Sequence, residues 1–129
     1  MKKMRLQQPT RILRGRHLPD IHLAAHLIRS GELVAVPTET VYGLAGLGHQ
    51  KESLEKIYTA KGRPRHNPLI LHVATLEQAL QLFDLQGAKG QDIQNRIEKL
   101  ANLFWPGPLT LVAPKAPHIL EQVTAGLDS

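Results

Sequence analysis

Apolar and polar residues alternate along this chain in two periods, and the switch between them sets out the elements. From Asp20 to about Ser30, Ile21, Ala24, Ala25 and Ile28 share one helical face, with Asp20 as N-cap and Gly31 as the stop. Leu33-Val34-Ala35-Val36 is a short continuous apolar run ended by Pro37, which predicts a buried strand. Thr38 to Gly48 reads as a loop. Glu52 to Lys61 reads as a helix with Leu54, Ile57 and Tyr58 inward, closed by Gly62 and then Pro64. Pro68 to Val73 predicts a second buried strand, with Leu69 and Leu71 on one face and Ile70 and His72 on the other. Thr75-Leu76-Glu77-Gln78 has the form of a capping box and opens a helix carrying Leu76, Ala79, Leu80 and Phe83.

After a connector at 87–90, Ile93, Ile97, Leu100, Ala101 and Phe104 form a helical stripe. Trp105-Pro106-Gly107-Pro108 is a rigid turn, because its prolines and glycine cannot continue a helix. Leu109 to Ala113 predicts a third strand, and His118 to Val123 a short helix. Residues 1–17 read as a basic N-terminal arm, with a short edge strand at Thr10-Arg11-Ile12-Leu13; residues 18–129 form the domain. Strands separated by helices predict an α/β fold with βαβ crossovers.

Composition narrows the classes. A chain of 129 residues with 42% hydrophobic and 21% charged residues suits one globular domain with one core. Aromatics make up only 4%, so aliphatic side chains must fill that core. The absence of cysteine excludes disulfides, thiolate metal sites and thiol nucleophiles, and fits a reducing cytoplasm. No apolar run reaches the roughly 20 residues that span a bilayer, and Gln7-Gln8-Pro9 stands where a signal peptide would have its apolar core. The net charge of +5 favours anionic ligands.

The chemistry concentrates between Lys61 and His72. Lys61 lies at a helix C-terminus, where dipole complementation accounts for it. Arg63, between Gly62 and Pro64, sits on a stiff backbone and suits bidentate contact with phosphate or carboxylate. Asn67 is held extended by Pro68 and either caps the turn or meets a ligand. His72, flanked by Leu71 and Val73, is a core histidine or a ligand group near the carboxyl end of its strand. Thr38, Glu39, Thr40 and Tyr42 follow the first strand at the same end. The glycines there are spaced G-x-x-G-x-G, which is neither a P-loop nor a dinucleotide fingerprint. His22 and His26, at i and i+4, lack a third ligand and read as a surface pair, so no metal site is assigned. No nucleophile elbow is present.

Four blocks carry a resemblance: Val36 to Leu44, Lys61-Gly62-Arg63-Pro64, Asn67-Pro68-Leu69-Ile70 and Phe104 to Thr110. From about Pro19 onward the chain resembles the YrdC/Sua5 family of L-threonylcarbamoyladenylate synthases. The resemblance implies an open, twisted, mixed or parallel sheet flanked by helices. It also implies a reaction: L-threonine, bicarbonate and ATP with Mg²⁺ give threonylcarbamoyl-AMP and pyrophosphate, with no tightly bound cofactor. A transferase complex then modifies tRNA to t6A in the cytoplasm. Carried over by position, Lys61 and Arg63 face the triphosphate as the catalytic pair. Asn67 and Thr124 contact the nucleotide, and Thr40 and His72 contact threonine.

The family pattern continues past Thr124-Ala125-Gly126-Leu127-Asp128 with a strand, an arginine and a Ser-x-Asn segment that this sequence lacks. The expected domain is therefore truncated at its C-terminus, with unpaired strands that invite an oligomer. The competing readings are an RNA-binding module, for tRNA or double-stranded RNA, and a fragment or paralogue without synthase activity. Few aromatics are available for base stacking, which weighs against the first. The intact Lys61 to Pro64 and Asn67 to Ile70 blocks weigh against an inactive paralogue.

Overall fold

The computed structural model describes residues 10–129. Five helices and one hairpin follow in the order α1 (Leu18–Arg29), β1 (Val34–Pro37), β2 (Tyr42–Ala45), α2 (Lys51–Lys61), α3 (Leu76–Leu80), α4 (Gly90–Phe104) and α5 (Glu121–Thr124). The N-terminal arm at 1–9 lies outside the described residues. Thr10 to Leu13 is not a strand: this segment has no ladder partner among the described residues, and Ile12 is exposed.

Helix α1 starts two residues before the expected cap. His17 is the N-cap, and Pro19 occupies the first turn, where its missing N–H costs nothing. Asp20 therefore lies inside the helix. It accepts hydrogen bonds from the Arg14 backbone N–H at 2.8 Å and from Arg14 Nε at 3.0 Å. These bonds, the backbone one first, hold its carboxyl down from the usual 3.8 to about 2. The helix ends as expected, with Ser30 as C-cap and Gly31 at φ 81°. Lys56 then donates to the Gly31 carbonyl at 2.7 Å, tying this end of α1 to α2.

The α/β class holds, with a sheet consisting of the β1–β2 pair. The pairing is antiparallel, with Val34 opposite Ala45 and Pro37 opposite Tyr42. β2 falls inside the stretch expected to be a loop. Gly43 breaks its apolar run and hides its strand character, while Thr38 closes the turn by accepting from the N–H groups of Thr40 and Val41.

Residues 68–73 and 109–113 are not strands. Both keep the strand period all the same. Leu69, Leu71 and Val73 are half-buried, while Ile70 (63% exposed) and His72 face solvent. Leu109, Leu111 and Ala113 alternate with exposed Thr110 and Val112 in the same way. The side-chain pattern is that of a sheet, but no neighbouring backbone forms a ladder along either segment among the described residues, so the βαβ crossovers are not formed there.

The buried residues follow two helix pairs: Leu54, Ile57 and Tyr58 on the inner face of α2, as the period predicts, with Val123 of α5, against which α2 packs; and Ala79 of α3 with Ile97 and Ala101 of α4, which pack together, while Ala116 is buried ahead of α5. Thr75 caps α3 by accepting from the Gln78 N–H at 3.3 Å. The Gln78 side chain returns the bond one residue early, to the Ala74 N–H. α3 ends at Leu80, and Phe83 instead bridges Lys115. On α4, Ile97 and Ala101 carry the packing while Leu100 and Phe104 are exposed. The last helix, expected over His118 to Val123, forms later, from Glu121.

Candidate functional site

The end of α2 sets the geometry of the charged loop. Gly62, at φ 57° and ψ 29°, caps the helix in the left-handed region, which a side chain would disfavour. The Arg63 N–H then donates back to the Tyr58 carbonyl at 3.0 Å, and the chain turns. Asn67 closes this turn by donating its N–H to the Pro64 carbonyl at 3.1 Å.

Arg63 is half-buried and folded over its own loop. Its Nε donates to the Asn67 carbonyl at 3.3 Å and one Nη to the Pro68 carbonyl at 2.7 Å. A guanidinium has five N–H donors, so three are left for a ligand. Lys61 is exposed. Arg65 is paired with Glu55 and lies over the Tyr58 ring, 5.2 Å from its centroid. Of the basic side chains here, Arg65 is thus neutralised, and Lys61 and Arg63 remain to meet an anion.

Thr124 reaches the same region from far along the chain. It is buried, and its hydroxyl donates to the Leu127 carbonyl at 2.8 Å, within the turn formed by Ala125 and Gly126. Two contacts attach its helix to the charged loop. The Leu69 N–H donates to the Val123 carbonyl at 2.7 Å, and the Tyr58 hydroxyl lies 2.8 Å from the Asn67 carbonyl and 3.0 Å from that of Gln122. An open hollow of about 290 Å³ lies alongside, lined by Tyr58, Arg65, Glu121, Gln122, Ala125 and Gly126.

The structure therefore groups Lys61, at the end of α2, with Arg63 and Asn67 in the loop after it, and joins that loop to the helix of Thr124. Thr40 and His72 stand on other segments. Thr40 is exposed in the β1–β2 turn. His72 is exposed rather than buried, with Nδ1 3.3 Å from the Ile70 carbonyl. The stretch after β2 lies against the His72 segment, since a Cβ on Gly48 would come within 2.6 Å of the Leu71 side chain. Among the described residues no group of three His, Asp or Glu side chains is placed to hold a metal ion. The helical period predicts Tyr58 only as an inward packing residue; the signal for more is chemical, since a buried phenol needs a hydrogen-bond partner.

The family model Sua5_yciO_yrdC, described as telomere recombination, matches residues 26–129. A threonylcarbamoyl-AMP synthase of Pyrococcus abyssi is 47% identical over 109 residues, covering 84% of this chain and 30% of the relative. The Bacillus subtilis protein of the same name is 46% identical over 112 residues, covering 86% of this chain and 30% of its own length. The crystal structure of P. abyssi Sua5 complexed with L-threonine superposes with a TM-score of 0.78 at 44% identity, over 90% of this chain and 32% of that one. The chain thus spans about 30% of the length of these curated relatives, and it belongs to the Sua5/YciO/YrdC family.

Proposed function

We propose that this chain carries the anion-gathering part of an L-threonylcarbamoyladenylate synthase acting in tRNA t6A formation. The supporting observation is the loop of Lys61, Arg63 and Asn67, fixed by backbone hydrogen bonds and joined to the helix of Thr124. The names of the relatives and the threonine-bound neighbour point the same way.

The three substrates of this reaction include bicarbonate, a carboxylate and a triphosphate, which repel one another. Assembling them calls for fixed cations and donors rather than a protein nucleophile. The threonine amine attacks the bicarbonate carbon and water leaves, giving a carbamate. A carbamate oxygen attacks the α-phosphate of ATP, and pyrophosphate leaves. Lys61 and the three unengaged N–H donors of Arg63 screen the triphosphate, and Asn67 and Thr124 border the nucleotide. Thr40 and His72 hold threonine. Mg²⁺ enters with the nucleotide, as part of the substrate. The product is passed to a transferase complex that acts on tRNA, in the cytoplasm.

The test is product formation. The full chain is incubated with ATP, Mg²⁺, bicarbonate and L-threonine, and threonylcarbamoyl-AMP is sought by mass spectrometry against a control without threonine. Product is expected, and the Lys61→Ala, Arg63→Ala double variant should lose it. Undiminished turnover in that variant would sink the assigned roles. An RNA-binding function would show instead as polyanion binding without preference for ATP and falling steeply with salt.

A further inference from the structure

Two hydrogen-bond donors converge on one carbonyl at the centre of the site. The Asn67 carbonyl receives the Tyr58 hydroxyl at 2.8 Å and Arg63 Nε at 3.3 Å. It has two lone pairs, and both are used. The Tyr58 hydroxyl has a second carbonyl within reach, Gln122 at 3.0 Å, but only one hydrogen to give. Tyr58 itself cannot drift, being 2% exposed in the core and covered by the Arg65 guanidinium.

We propose that Tyr58 is a positioning residue, whose hydroxyl keeps Asn67 in place when Arg63 turns to an anion and so holds the loop of Lys61 and Arg63 against the helix of Thr124. The proposal rests on the nucleotide reading above. The chemistry is a matter of competition. A triphosphate is a stronger acceptor for a guanidinium than an amide carbonyl. Binding at the three free donors therefore pulls the guanidinium outward, and the longer of the two bonds to the Asn67 carbonyl, the one from Nε, is the one that yields. The Tyr58 hydrogen then remains as the support of Asn67. The Leu69 to Val123 bond keeps the two segments in register beside it.

Tyr58→Phe tests this, since it keeps the ring, its burial and its stacking under Arg65. In the ligand-free chain, amide exchange at Leu69 should quicken about five- to tenfold, while Ile97 and Ala101 of α4 keep their protection. ATP titrated by calorimetry should bind about tenfold more weakly to the variant. The loss should shrink when Arg63→Ala is already present, because the guanidinium that the held loop presents to the anion is then gone. A purely structural tyrosine would give additive losses, and additivity overturns the proposal. So does an unchanged Leu69 amide, or faster exchange with unaltered ATP affinity. Should the variant fail to fold, the wild-type chain decides: Leu69 and Val123 amide resonances must follow the same ATP curve as Asn67, and a silent Val123 overturns the coupling. If the wild-type chain binds no ATP, the nucleotide reading falls, and the hydroxyl's hold on Asn67 is judged on Leu69 exchange alone.

Discussion

Arg63 shows how one side chain serves two ends. Two of its donors fasten the Asn67 and Pro68 carbonyls, and three remain for a ligand. A lysine keeps the charge but loses the fork that serves both carbonyls at once. Arg63→Lys is therefore expected to cost about 1–2 kcal/mol of stability in denaturant titration, and to weaken ATP binding despite conserving charge. Equal melts and equal affinity would show that the fork is dispensable. Asp20 makes a separate prediction in acid. Its folded pKa, about 2, lies below the usual 3.8, so its contribution is present above about pH 4 and is lost as pH falls toward 2. Thermal melts between pH 5 and 2 should fall less steeply for Asp20→Asn than for the parent. Parallel curves would mean that the Arg14 bonds add nothing.

At the level of elements, Thr75 carries the start of α3. Removing its hydroxyl by Thr75→Ala should cost about 1 kcal/mol by urea titration. The same helix marks what the chain's periodicity conveys. Capping chemistry is local, so the Thr75 box, the Gly31 and Gly62 stops and the inner face of α2 could all be read from spacing. Pairing partners are not local. Residues 68–73 and 109–113 have the apolar runs and alternating burial of strands, yet a strand also needs a neighbour, and no spacing records one. β2 failed in the opposite direction: its partner β1 is next to it, but Gly43 weakened its pattern. Within the site, Lys61, Arg63 and Asn67 were legible because they are close in sequence. The bond from Tyr58 to Gln122 was not, because helical period reports that a residue is buried and not what its hydroxyl touches.

The whole molecule is unusually open. Its accessible surface is 10401 Å², against about 6,800 Å² for a compact monomer of 14.3 kDa. Much of it is apolar: Ile70, Leu103, Phe104 and Val112 all stand in solvent. Self-association is therefore expected, and sedimentation velocity over a range of concentrations should show a growing larger species. A single monomer boundary throughout would count against it. Openness also bears on the order in which the chain folds. The Tyr58 and Gln122 contact joins positions 64 apart. Closing a loop of that length costs on the order of 4 kcal/mol in chain entropy, several times the net gain of one hydrogen bond. That contact cannot nucleate anything and must wait until helix packing has already brought its ends together. The junction between the candidate loop and the helix of Thr124 thus forms only after the helices pack, and a ligand that grips both of its sides would act on a late step of folding.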